Sequence, residues 1–142
     1  MLLPVFANKF QIGELGCDDT ELIDITELLT ADVSVDTSDE TWNTYQGEGW
    51  QSSMATSKSA SFAYTVKCDY GSPLYTFLLT KMMANGTAAY VRNLWTMADG
   101  KAKIDSNGTI KVTKLGTGST TEVGEAEFEV SSNGKPIVTI IA

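Results

Sequence analysis

Ala31-Asp32-Val33-Ser34-Val35-Asp36 opens, and Ser59-Ala60-Ser61-Phe62-Ala63-Tyr64-Thr65-Val66-Lys67-Cys68 closes, the stretch from which the fold of this 142-residue chain is read. Apolar and polar side chains alternate strictly in both runs. That pattern gathers the apolar side chains on one face of a half-buried strand, so each run is read as a β-strand. Between them, Thr37 to Lys58 carries Asp39, Glu40, Trp42, Tyr45, Gly47, Glu48, Gly49 and Trp50, and reads as a long loop over about 37–58. Loops beyond about a dozen residues are usually functional or disordered. Disordered segments avoid large aromatics, yet this one holds two of the chain's three tryptophans. Aromatics that a small domain leaves outside its core serve as anchors for a partner. Trp42, Tyr45, Gly49 and Trp50 are therefore the candidate contact residues. The plainer alternative is a lid folded back on its own domain.

Downstream, Asp69-Tyr70-Gly71 breaks the chain and Ser72-Pro73 opens a helix over about 73–84. Ser72 can accept from free backbone N–H groups, and Pro73 at the first helical position forfeits no hydrogen bond. Leu74, Phe77, Leu78 and Met82, with Tyr75, Leu79 and Met83 beside them, give a wide apolar face, and Asn85-Gly86 a stop. Short strands follow at 89–97, 102–105, 109–115, 122–130 and 136–141, separated by Ala98-Asp99-Gly100, Ser106-Asn107-Gly108, Gly116-Thr117-Gly118-Ser119 and Ser131-Ser132-Asn133-Gly134. Asp-Gly and Asn-Gly between alternating runs predict hairpins. In the fourth of these strands Glu125, Glu127 and Glu129 point one way. Upstream, residues 1–22 read as an N-terminal arm with an extended piece from Phe6 to Ile12, and Glu21 to Leu29 reads as extended. The expected fold is mainly β: one domain over 1–142, an antiparallel β-sandwich or barrel with one flanking α-helix and a last strand within 134–142.

The net charge of −8 is unevenly spread, with eleven acids against Lys9 in residues 1–50 and seven acids against nine bases thereafter. Phosphate contacts are made by Lys and Arg, so the sign disfavours tight nucleic-acid binding. An acidic half and a faintly basic half favour head-to-tail association of copies. No apolar run reaches the eighteen or so residues of a bilayer span. The first nine residues lack the basic start and unbroken apolar stretch of a signal peptide. Cys17 and Cys68 are far apart, show no CxxC spacing, and read as small structural residues.

Chemistry is sparse. With no histidine, Ser/His and Cys/His triads are excluded and a zinc site is disfavoured. Gly116-Thr117-Gly118-Ser119 lacks the Lys-Ser/Thr and helix of a phosphate cradle. A carboxylate pair under a Trp-rich loop could hydrolyse a glycoside, but eighteen acids in a chain this short make chance pairs inevitable. The reading is of a protein that is not an enzyme and holds no cofactor or metal.

In order along the chain, Asp32-Val33-Ser34-Val35-Asp36, Glu40-Thr41-Trp42, Glu48-Gly49-Trp50, Thr56-Ser57-Lys58-Ser59-Ala60-Ser61-Phe62, the break and helix from Asp69, and Phe128 to Pro136 resemble the major tail tube proteins of long-tailed, siphovirus-type bacteriophages. The resemblance implies a structural virion protein whose copies form hexameric rings, stacked into a tube that conducts DNA without binding it specifically. It implies a long loop and terminal arms that bridge subunits, with Trp42, Tyr45, Gly49 and Trp50 at the subunit and ring interface. Asp32, Asp36, Glu125, Glu127 and Glu129 are the candidate lumen-facing acids, and the helix lies outside the sheet. The implied partners are the chain itself, tail terminator and baseplate or tail-tip proteins, and a tape measure protein in the lumen before DNA, with no membrane. The implied location is the virion tail, with host cytoplasm during assembly. The competing reading is a monomeric β-sandwich module that binds carbohydrate or peptide with the Trp42/Trp50 loop. A contractile tail or phage-tail-like bacteriocin is a related structural one.

Overall fold

The computed structural model describes residues 2–4, 7–117 and 123–140. Its strands are β1 (Lys9–Glu14), β2 (Ile23–Asp24), β3 (Leu28–Asn43), β4 (Gln51–Lys67), β5 (Tyr90–Thr96), β6 (Ala102–Thr117), β7 (Glu125–Ser132) and β8 (Ile137–Ile140), with helix α1 (Pro73–Met82) between β4 and β5. All pairings are antiparallel, in the order β2-β1-β5-β6-β7-β4-β3, with β8 also on β6. The expected mainly β, antiparallel architecture with one helix is thus observed. All eight strands, however, share one sheet that does not close into a barrel.

The sheet nonetheless encloses a core because it curls. Tyr64 of β4 and Asn93 of β5 are separated by two strands in sheet order, yet the Tyr64 hydroxyl donates to Asn93 Oδ1 at 2.9 Å. Phe10 of β1 meets Tyr64 edge-on at 5.2 Å between ring centres. The inner face is what the alternation at Phe62, Tyr64 and Val66 predicts: these pair with Val130, Phe128 and Ala126 on β7, and all six are buried. Each large side chain so buried contributes roughly 1.5–3 kcal/mol. Burial also pushes the Tyr64 hydroxyl well above its ordinary ionisation range. Above about pH 10 the unfolded chain releases a phenolic proton that the folded chain retains, so stability is intact below that pH and falls as pH rises further. Thermal melts from pH 8 to 12 should show this decline, and Tyr64→Phe should flatten it.

Several expectations from sequence are corrected. Of the expected loop over 37–58 only residues 44–50 lie outside strands: β3 and β4 continue through the rest as a hairpin, with register from Leu28↔Val66 to Asn43↔Gln51. The run is Ser/Thr-rich and both its faces meet solvent, so the apolar alternation that marks a half-buried strand is absent while the strand is not. Ser106-Asn107-Gly108 does not turn either. It lies inside the 16-residue β6, and Gly108 is absent from the left-handed glycines, unlike Gly100 in the expected turn at 98–100. Ser131 to Gly134 is not a reversal: β7 and β8 run in the same direction along β6. Between Ser132↔Gly108 and Ile137↔Asp105 the chain advances five residues against three on β6, so 133–136 is an outward bulge. Part of the expected N-terminal arm, Lys9–Glu14, is an internal strand between β2 and β5. The expected turn at 116–119 leaves the described residues after Thr117, and Phe6, Glu122 and Ile141 lie outside them.

Helix α1 begins as expected, with Ser72 Oγ accepting from Tyr75 N at 3.2 Å and Pro73 in its first turn. It buries Leu74, Phe77 and Leu78, and also Lys81, whose ammonium donates to Glu14 Oε2 and to the Ala88 carbonyl, each at 2.7 Å. Leu79 and Met83, expected on the apolar face, are exposed. A ten-residue helix on a curled sheet has room for only one buried stripe, and Lys81 occupies its last position. Among the described residues no helix is long and apolar enough to cross a membrane.

Candidate assembly surface

The hairpin outruns the sheet. β4 pairs with β7 only from Ser61 onward, so residues 36–59 form a two-stranded ribbon projecting from the sheet's end. From Asp36 to Asn43 it spans about 24 Å at the usual strand rise. A lone ribbon is marginal in water, and this one is secured locally. Between Ser38↔Ser57 and Asp39↔Ala55 the extra residue is Thr56, and its hydroxyl donates to the Ser38 carbonyl at 3.0 Å. At the tip Thr44 Oγ1 and the Thr44 carbonyl both accept from Gly47 N, Trp50 N donates to the Gly47 carbonyl, and the chain reverses through left-handed Glu48 (φ 53°) and Gly49 (φ 84°). Glycine carries such a φ without the strain a Cβ brings, so Gly49→Ala should cost about 1 kcal/mol. Because the ribbon lies outside the core, the loss should appear as faster amide exchange over 44–52 with an unchanged melting temperature.

Three of the four expected contact residues are aromatic, and the structure brings them to this tip: Tyr45 is fully exposed, Trp50 is 80% exposed and Trp42 41%. Gly49 sits among them as the turn residue. Neither indole is tucked under its own sheet, so the lid alternative fails. Sequence reading missed Met54, which pairs with Glu40 on the same ribbon face as Trp42↔Ser52 and is 57% exposed. Its phase depends on the bulge at Thr56, which shifts Met54 onto the face of Asp32, Asp36 and Trp42, away from that of Phe62, and which no pattern in the sequence announces.

The five expected acids also share a surface. Asp32 lies beside Ala63, which lies beside Glu129, which lies beside Lys111; the next row is Thr30, Thr65, Glu127 and Lys114. Asp32, Asp36, Glu125, Glu127 and Glu129 therefore stand on the face opposite the core. Lys67, Lys111 and Lys114 stand among them, with Lys67 Nζ at 3.1 Å from Glu125 Oε1 and Lys114 Nζ at 4.0 Å from Oε2. The glutamates are interleaved with lysines, whereas among the described residues no ion pair holds Asp32 or Asp36.

At its other end this face is covered by residues 15–22. Arg92 on β5 binds both oxygens of Asp105 through Nε at 3.1 Å, and also reaches Asp19 at 2.7 Å and the Cys17 carbonyl at 2.9 Å. Those bonds hold its guanidinium charge above its ordinary range, against the opposing effect of burial. The thiols of Cys17 and Cys68 are free and pushed up by burial, which favours their protonated form. Among the described residues no three His, Cys, Asp or Glu side chains cluster so as to hold a metal ion.

The sequence matches no protein-family model and no curated protein. The fold is matched along its whole length. It is similar to that of a chain in the C6-symmetric tail of an empty gene transfer agent particle, with TM-score 0.70, 14% identity, and coverage of 99% of this chain and 100% of that one. A chain of the native gene transfer agent virion gives 0.65 and 12%, again over 99% and 100%. A chain of the cap that terminates the anti-feeding prophage tube gives 0.62 and 9%, over 99% and 92%. At such identities the likeness is one of fold, and this chain has a fold found in phage-like tail particles.

Proposed function

We propose that this chain is a structural subunit of a phage-type tail tube, whose copies form hexameric rings stacked into a conduit for DNA. The observation that carries this reading is the full-length fold likeness to a chain of a C6-symmetric tail. The molecule's own surfaces support it. An aromatic tip on a projecting ribbon and the unpaired edges of β3 and β8 are features a lone soluble domain avoids, and assembly covers them. Asp32, Asp36, Glu125, Glu127 and Glu129 form the lumen wall, where net acidity repels phosphate and lets DNA slide. The interleaved lysines moderate that charge so that neighbouring subunits tolerate one another. Tail terminator, baseplate or tail-tip and tape measure proteins are the further partners, and the virion tail, reached from the host cytoplasm, is the location. The ordered motifs from Asp32 to Phe62 favour the long, siphovirus-type tail over the contractile one.

Negative-stain micrographs of the protein at rising concentration test this. Hollow tubes or six-fold rings are expected, and compact single particles at every concentration would overturn it. Tryptophan emission separates the competing binding module, because it should respond to protein concentration and not to added glycans.

A further inference from the structure

We infer that the aromatic hairpin tip of one copy seats on the outward face of helix α1 of a second copy. The inference rests on the tail tube reading for its setting and adds the receiving surface, which that reading leaves unassigned. Tyr75, Leu79 and Met83 follow one another at four-residue spacing, so they form one line along the helix. Leu79 is 48% and Met83 79% exposed, and Tyr75 carries Tyr70, itself 62% exposed, edge-on against its ring at 4.9 Å. The helix has no carboxylate, and its one cation, Lys81, is buried against Glu14. The exposed face thus offers apolar side chains with only the uncharged Thr76 and Thr80 beside them.

Charge selects the partner. Copies that each carry −8 repel, so contact costs least where both surfaces are uncharged. The tip, Thr44 to Trp50, has Glu48 as its one charge, and it presents indole and phenol rings to a surface that offers the Met83 thioether and the Tyr70 and Tyr75 rings. Exposed Ile137, Val138 and Ile140 on β8 are a second uncharged candidate, and a larger cluster than the single exposed Leu15, Leu29, Val35 and Val123. That segment offers an unpaired backbone edge, which a strand fits and a turn does not. A tip cannot reach its own helix: the ribbon is hydrogen-bonded out to Asn43↔Gln51 and points away from the sheet, while α1 packs on β6 and β2. The contact is therefore between chains and head to tail, the kind that propagates into rings or stacks.

The experiment uses two variants of the full chain, Trp50→Ala at the tip and Leu79→Glu with Met83→Glu on the helix, followed by sedimentation at concentrations where the parent assembles. Each variant alone should lose at least about tenfold in assembled material, the effect of removing a central anchor. Mixed, they should form a two-chain species, because each retains the surface the other lacks. Leu79→Ser with Met83→Ser, with circular dichroism on both, guards against misfolding of the glutamate variant. If the helix variants assemble like the parent while Trp50→Ala does not, the tip has another receiver and the inference falls with the tube intact. If the parent forms complementable oligomers but no hollow tubes, the inference stands and the tube reading falls. If no variant changes assembly, the inference is overturned.

Discussion

Gly108→Ala should destabilise the fold by about 3 kcal/mol, near the upper end of overpacking costs in a rigid site, and lower the melting temperature by roughly 10 °C in a chain of this size. A Cβ at Gly108 would stand 2.3 Å from the Ser131 carbonyl oxygen and 2.9 Å from its carbon. Both are backbone atoms of β7, and β7 is held on its far side by β4 through pairs from Ser61↔Ser131 to Lys67↔Glu125. On the other side Val91 of β5 pairs with Gly108 itself. Neither strand can retreat without moving Phe128 and Val130, which are buried in the core. Were the substitution near neutral in thermal melts, the close approach of β6 to β7 would be wrong. A Gly100→Ala control, strained at φ 72° but with open space around its Cβ, should cost only about 1 kcal/mol.

Gly108 also marks where sequence reading lost its way. Ser-Asn-Gly between alternating runs is a hairpin signal because glycine accepts a positive φ, but glycine serves equally where two backbones come close, and no local pattern separates the uses. Phe62, Tyr64, Val66, Phe128 and Val130 were legible because they alternate with polar neighbours on half-buried strands. Asp39 to Asn43 and Gln51 to Ser57 were not, because a ribbon wet on both faces has no apolar phase to read. The candidate site was legible in composition and not in shape. Trp42, Tyr45 and Trp50 stood out as candidate contacts since a small core does not need them, yet that they cap a projecting ribbon depends on the register of β3 on β4. The five acids were found as two separate groups. Only the rows Asp32-Ala63-Glu129 and Thr30-Thr65-Glu127 put them on one face, a long-range pairing that spacing along the chain cannot supply. Lys81 and Arg92 escaped notice for the same reason, since their partners Glu14 and Asp19 lie far away in sequence.

Trp50→Ala should abolish tube formation at concentrations where the parent is fully assembled, while leaving circular dichroism and the melting transition unchanged. The fold is spared because Trp50 is 80% exposed at the ribbon's end. Its backbone role, N–H to the Gly47 carbonyl at 2.9 Å, survives truncation of the side chain. Assembly is lost because an indole covers some 150–250 Å² when buried. A central aromatic anchor is worth about 2–4 kcal/mol at one contact, or roughly 30-fold to 1000-fold in affinity. In the proposed ring the effect multiplies, since every subunit would carry the lesion and no contact would be spared. Tyr45→Ala, fully exposed at the same tip, should act in the same direction. Trp42→Ala should act less, because at 41% exposure much of that indole already rests on its own ribbon. Tubes of normal length from Trp50→Ala would show that the ribbon tip touches nothing. The acids on the face opposite the core supply the control: Glu127→Gln, remote from the tip along the sheet, should leave subunit assembly intact.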